Sequence, residues 1–298
     1  MSRNENRTDT IDPEFLAEGS PQPVTTTPPG TGPATPTTPE GTPQFNWAVP
    51  TEFVTLPSKG KYYPPTHPLY QQTTVEIRYM TAKEEDILTS RALLKEGVAL
   101  DRMLQNILVD NRIQVGSLLV GDKNALLVGA RRTGYGSEYV TTVTCPSCQT
   151  PGEHTFYLED PPMNNAHGEL ETSTDVVLTD AGTFKFVLPM TGVEVECRLL
   201  TSADEALFSK NLARKKNKQT GAMTELFRSY IVSVNGDPSP LMKETLIQNM
   251  PARDARYLRN RYVEVVPNID LTQVYNCTNC GYEADMEVPL TIDFFWPK

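Results

Sequence analysis

The stretch VEIRYMTAKEEDIL, Val75 to Leu88, returns later in the chain as VECRLLTSADEALF, Val195 to Phe208. Val-Glu opens both, Arg78 matches Arg198, Thr81 matches Thr201 and Glu85 matches Glu205, with apolar residues opposite apolar ones. Outward from this core the likeness continues in the same order. Upstream, TLPSKG (Thr55 to Gly60) parallels VLPMTG (Val187 to Gly192). Downstream, NALLVGARR from Asn124 resembles DARYLRNRY from Asp254, and then come Cys145-Pro-Ser-Cys148 and Cys277-Thr-Asn-Cys280. Each likeness is weak alone; in one shared order they predict an internal duplication. The first repeat covers 46–160, a linker 161–180 and the second repeat 181–298.

Each repeat reads as α+β. A strand runs into a Leu-Pro-x-x-Gly turn, where Pro fixes φ and Gly permits φ > 0. A second strand follows, TTVEIRYM or VEVECRLL, with period-two alternation. Thr81 or Thr201 then suits a helix N-cap, with Glu84 or Asp204 three residues on. Helices are expected over AKEEDILTSRALLKEG (closed by Gly97), VALDRMLQNILVD and DKNALLVGARRTG. The second repeat supplies SADEALFSKNLARKK, MTELFRSYIVSV and PARDARYLRNRY. Each repeat ends in a hairpin carrying a C-x-x-C pair.

Those pairs, Cys145 with Cys148 and Cys277 with Cys280, point to a metal. Zinc favours four thiolates in a tetrahedron, and a two-residue spacer lets both sulfurs of a pair reach one ion. Pro146 and Gly281 suit the tight turns of such knuckles. The pairs lie too far apart for one self-contained zinc ribbon, but the duplication lets each repeat bring one knuckle to a shared structural Zn²⁺, one per chain. A thioredoxin-like pair sits instead at a helix N-terminus after a parallel strand. His154 is an alternative ligand, although Met286 holds its place in the second repeat. Cys197 aligns with Ile77 and reads as a small buried hydrophobe.

Composition limits what else the chain does. It has 298 residues, a formal net charge of −10 and a pI near 4.9. An acidic surface repels phosphate backbones and gains nothing from counterion release, so nucleic-acid binding is not expected. No apolar run is long enough to span a membrane, and no signal-peptide core is present. Residues 1–45, rich in Pro and Thr, have no apolar face to bury and read as a disordered arm. Within the arm, Ile11 to Gly19 is an acidic, apolar island that could serve as a docking peptide. His67, His154 and His167 sit beside no patterned nucleophile, and no catalytic or phosphate-binding motif occurs. Glu84-Glu85 and Asp204-Glu205 fall in helix first turns, where the macrodipole accounts for them. Arg214, Lys215, Lys216 and Lys218 cluster at one helix end. Arg253, Arg256, Arg259 and Arg261 line another helix as a solvated or protein-facing surface. The reading is a non-enzyme.

The stretch FVTLPSKGKYYPP, Phe53 to Pro65, carries the Leu-Pro-x-x-Gly core and then a segment that does not recur. That asymmetry makes Lys59, Lys61, Tyr62 and Tyr63 a candidate partner interface. LPSKGKYYP followed by VEIRYMTAKEEDIL resembles the N-terminal signature of the T-even-type bacteriophage baseplate proteins, the hub-assembly proteins of contractile tails. The likeness runs from about Phe53 to Leu108. It implies a structural or assembly role in the baseplate hub, with other baseplate and hub proteins as partners. It also implies a location in the host cytoplasm during assembly, with the virion tail baseplate as a second. The alternative reading is a zinc-ribbon adaptor that binds nucleic acid or a polymerase.

Overall fold

Short antiparallel pairs surround one buried helix. The computed structural model describes residues 49–164, 176–214, 221–290 and 292–295. The arm over 1–45, His167 with most of the linker, and Lys215, Lys216 and Lys218 lie outside the described residues. Strand β1 (Thr51–Thr55) pairs with β2 (Thr74–Arg78), Thr51 opposite Arg78 and Thr55 opposite Thr74. Between them the LPSKG turn folds back on its loop, with Gly60 at φ 70° and a Cβ there only 2.4 Å from Leu69 O. No side chain fits that position.

The single helix expected over 82–97 is two: α1 (Ala82–Thr89) and α2 (Arg91–Glu96), with Ser90 extended between them. The Thr89 hydroxyl donates to Glu85 O at 2.8 Å, a back-bond that loosens a helix end. Gly97 closes α2 in the left-handed region at φ 73°. Helix α3 (Ala99–Ile107) buries Ala99, Met103, Leu104 and Ile107 along one stripe. Helix α4 (Val120–Tyr135) is buried from Ala125 to Arg131, so it is the axis of the body. Arg131 is satisfied there by three carbonyls, those of Phe294, Gly136 and Glu138. The hairpin β3 (Glu138–Thr144) and β4 (Pro151–Tyr157) follows in the expected place.

After β5 (Met163–Asn164) the second half opens with β6 (Val176–Leu178), β7 (Phe184–Val187) and β8 (Glu194–Cys197). Next come α5 (Ser202–Arg214), α6 (Ala222–Tyr230) and β9 (Ile231–Val234), and β6-β7-β8-β9 form one antiparallel sheet in that order. The helix expected through MTELFRSYIVSV therefore stops at Tyr230. Its β-branched tail prefers the pleated surface and pairs with β8, Val195 opposite Val234. Helix α7 (Pro240–Asn249) was not anticipated; Ser239 caps it and Pro240 starts it, yet Leu241 points to solvent. Then come α8 (Ala252–Val265), β10 (Asn268–Ile269), and the hairpin β11 (Thr272–Asn276) and β12 (Glu283–Glu287).

The two halves repeat the same contacts. The Thr81 amide and hydroxyl donate to Glu84 at 2.7 and 2.6 Å, and those of Thr201 to Asp204 at 2.9 and 2.8 Å. Arg78 pairs with Glu84 and Arg198 with Asp204. A carboxylate near the start of a long helix also grips each Leu-Pro-x-x-Gly turn. Asp122 accepts from the Ser58 amide at 3.0 Å and its hydroxyl at 2.6 Å. Asp254 accepts from the Met190 and Thr191 amides at 2.8 and 3.0 Å. The downstream equivalence thus sets Asp122, not Asn124, against Asp254, because the carboxylate must reach the turn.

The halves are not separate bodies: residues from both fill one core. Across it the Val120 amide donates to Leu200 O at 3.1 Å, the Ser202 amide to Leu118 O at 2.8 Å, and Ile269 pairs with Met163. A Cβ on Gly121 would lie 1.9 Å from Pro267 O, so α4 touches the second half's backbone directly.

The Arg198–Asp204 pair sets a pH prediction. Hydrogen bonds from Arg198, then from Thr201, lower the Asp204 pKa from an ordinary 3.8 to about 2 against some opposing desolvation. A carboxyl lowered on folding stabilises above its unfolded pKa, and that contribution disappears as pH falls through the folded value. Stability should decline from about pH 4 to pH 2, discounted because the pair is partly solvated. Asp204→Asn should flatten that decline in an acid titration followed by circular dichroism; an unchanged slope would rule the pair out as its source.

Candidate metal centre

The two hairpins end in the same turn, built twice. In the first, the Gln149 amide donates to Cys145 O at 2.9 Å and the Cys145 amide to Thr150 O at 3.0 Å. In the second, the Gly281 amide donates to Cys277 O at 2.9 Å and the Cys277 amide to Tyr282 O at 2.8 Å. The residue after each second cysteine is left-handed, Gln149 at φ 57° and Gly281 at φ 70°. Each turn aims its two sulfurs at the other hairpin.

All four sulfurs, those of Cys145, Cys148, Cys277 and Cys280, lie within 4.8 Å of one another. Cys145 Sγ is 3.8 Å from Cys280 Sγ, and Cys148 Sγ is 3.8 Å from Cys277 Sγ. Exchanging the halves turns one distance into the other, as a local twofold through the site requires. A disulfide needs sulfurs at about 2.05 Å. A tetrahedron with metal–sulfur bonds of about 2.3 Å has edges of about 3.8 Å. The donor set fits a four-thiolate metal centre, and the four cysteines together can hold a metal ion.

The surroundings of the sulfurs differ from one to the next. Hydrogen bonds from Thr150 and then Asn279 hold the Cys148 thiol down, to about 5. The Cys280 and Asn279 amides lower Cys277. The Tyr282 amide lowers Cys280 too, but desolvation and the neighbouring sulfurs outweigh it and push it up to about 11. Like charges this close oppose full ionisation, and a cation among them removes the opposition. His154 takes no part: its ring packs edge-on against Phe156 and Tyr275, with centroids 4.6 and 5.2 Å away.

The segment after LPSKG serves the fold more than a partner. Tyr63 is 5% exposed; its hydroxyl donates to Asp122 at 2.7 Å and accepts from the Leu119 amide at 3.0 Å. Buried and satisfied, it is corrected out of the candidate interface. Tyr62 is half-buried against Phe184 of the second half, centroids 5.6 Å apart, and burial pushes its phenol up to about 12. The non-recurring segment thus joins one half to the other. Lys59 is half-exposed in a left-handed conformation, and Lys61 is exposed.

A family model described as T4 bacteriophage base plate protein matches residues 49–296 of the 298-residue chain. The chain belongs to that family. No match was found among curated proteins or among solved structures. As a baseplate protein, the chain has other phage proteins as its partners and the virion tail as its setting. Among the described residues, no helix is long and apolar enough to cross a membrane.

The other singled-out residues of the baseplate protein find ordinary places. Cys197 is fully buried in the core, as its alignment with Ile77 anticipated. His67 Nε2 lies 2.8 Å from Ser117 Oγ, and its ring stacks on Tyr63. Arg253, Arg256 and Arg259 are exposed on α8, while Arg261 pairs with Glu264 at 2.6 Å. One fastening has no signal in the sequence. The Gln273 side chain accepts from the Tyr157 amide at 2.9 Å and donates to Tyr157 O at 2.5 Å, tying the two hairpins together like a backbone bridge.

Proposed function

We propose that this chain is a non-enzymatic structural or assembly component of the baseplate hub of a contractile tail. In this reading one zinc ion, held by Cys145, Cys148, Cys277 and Cys280, fastens the repeats 46–160 and 181–298 into a rigid part. The observation that carries it is the meeting of four thiols, two from each hairpin, at tetrahedral spacing in a member of the baseplate family. Zinc bound there supplies a closed shell without an open coordination position. The hairpins hold the sulfurs; Gln273 and the Tyr62–Phe184 contact keep the halves in register. The protein is made and incorporated in the host cytoplasm, with residues 1–45 and exposed Lys61 as its docking elements.

Two measurements test the reading. Protein purified under reducing conditions should contain one zinc per chain by elemental analysis; absence of zinc would remove the clamp. From cells expressing the phage tail genes, the full chain should co-purify with other baseplate proteins, less so after deletion of residues 1–45. Recovery of nucleic acid in their place, lost on raising salt, would overturn the scaffold role.

A further inference from the structure

The local twofold relates the backbones of the two knuckles closely, and the Asn279 side chain breaks it. Cys148 receives a donor from the opposite hairpin. Asn279 Nδ2 lies 3.6 Å from Cys148 Sγ and 3.2 Å from Thr150 Oγ1. The equivalent position in the first knuckle is Ser147, exposed and too short to reach across.

We infer that Asn279 is a positioning residue of the metal centre: one amide that bonds a ligand sulfur and ties the second hairpin to the first. The inference rests on the proposed metal site. The chemistry is that of any hydrogen bond to a thiolate. A donor aimed at sulfur stabilises the charged form that binds metal and fixes the direction of its lone pairs. Nδ2 has two hydrogens, one for Cys148 Sγ and one for Thr150 Oγ1, so a single side chain serves the ligand and the loop that carries it. Zinc affinity and the docking of the hairpins are therefore coupled through this residue.

The test is a competition titration of full-length protein with zinc and a chromophoric chelator. Asn279→Ala should bind zinc about 10- to 100-fold more weakly than the unaltered chain, the range for removal of such a supporting group. Asn279→Asp, which keeps the shape but offers no donor and adds negative charge beside the sulfur, should be weaker still. Ser147→Ala should change affinity by less than twofold. With cobalt(II) as probe, Asn279→Ala should move the sulfur-to-metal charge-transfer band to lower energy, because the sulfur lone pair is no longer stabilised; a merely structural contact would leave the band in place. Tight zinc binding by the unaltered chain, with Asn279→Ala within twofold of it and an unmoved cobalt band, would overturn the inference and leave the metal site standing. An unaltered chain that takes up no zinc removes the site, and the inference with it.

Discussion

Changing either Cys148 or Cys280 to serine should release the metal and free both hairpins together. A structural zinc contributes about 10–16 kcal/mol in small finger peptides. Here its effect is local, because Cys145 and Cys277 lie with Tyr275 in a satellite cluster apart from the main core. The body should stay folded. Amide protection at the knuckle ends of β3, β4, β11 and β12 should fall by at least about a thousandfold, equivalent to about 4 kcal/mol of local opening free energy, while Tyr139 and Phe156 keep the base of the first hairpin in the main core. The decisive feature is that a substitution in one half loosens the other. Hydrogen exchange by mass spectrometry resolves both hairpins in one experiment, and a change confined to the hairpin carrying the substitution would contradict a shared ion.

Asp122→Ala should destabilise the body itself by about 3–5 kcal/mol. The carboxylate is fully buried and accepts from the Ser58 amide, the Ser58 hydroxyl and the Tyr63 hydroxyl. Burial raises its pKa, and the Ser58 and Tyr63 donors pull it back only in part. Removing it strands three donors, each costing roughly 1–3 kcal/mol less whatever water recovers. Tyr63→Phe removes one donor to Asp122 and also strands the Leu119 amide, and should cost about 2 kcal/mol. Urea unfolding of both variants compares them directly. A loss below about 1 kcal/mol for Asp122→Ala would show that the turn does not depend on that grip.

Much of the fold was legible because local rules governed it. The Thr–Glu and Thr–Asp caps, Gly97, the two hairpins and the four thiols all follow from short-range chemistry written twice. The duplication also supplied the long-range step, since a pair of thiols in one half found its complement in the copy. What escaped depended on partners distant in sequence. Tyr63 looked like a surface feature because its acceptor, Asp122, is 59 positions away. In the downstream repeat the letters favour Asn124 opposite Asp254, whereas the physical constraint is a carboxylate, Asp122 or Asp254, reaching a turn. The IVSV segment reads as a continuation of its helix because nothing near it in sequence announces β8, with which it pairs. Gln273 and Asn279 act across the two hairpins, and neither belongs to a pattern.

The spacing of the thiols along the chain sets the order of events in making this molecule. The sulfurs that meet across the site are separated by 135 and 129 positions. Closing so large a loop before the body exists is the costliest sequence of steps, since the entropy of the intervening chain must be lost before any contact rewards it. An ion bound by all four sulfurs would therefore be taken up after both halves have docked, rather than nucleate folding. Four-thiolate coordination would then mark a finished part, because only the docked body brings the two pairs together.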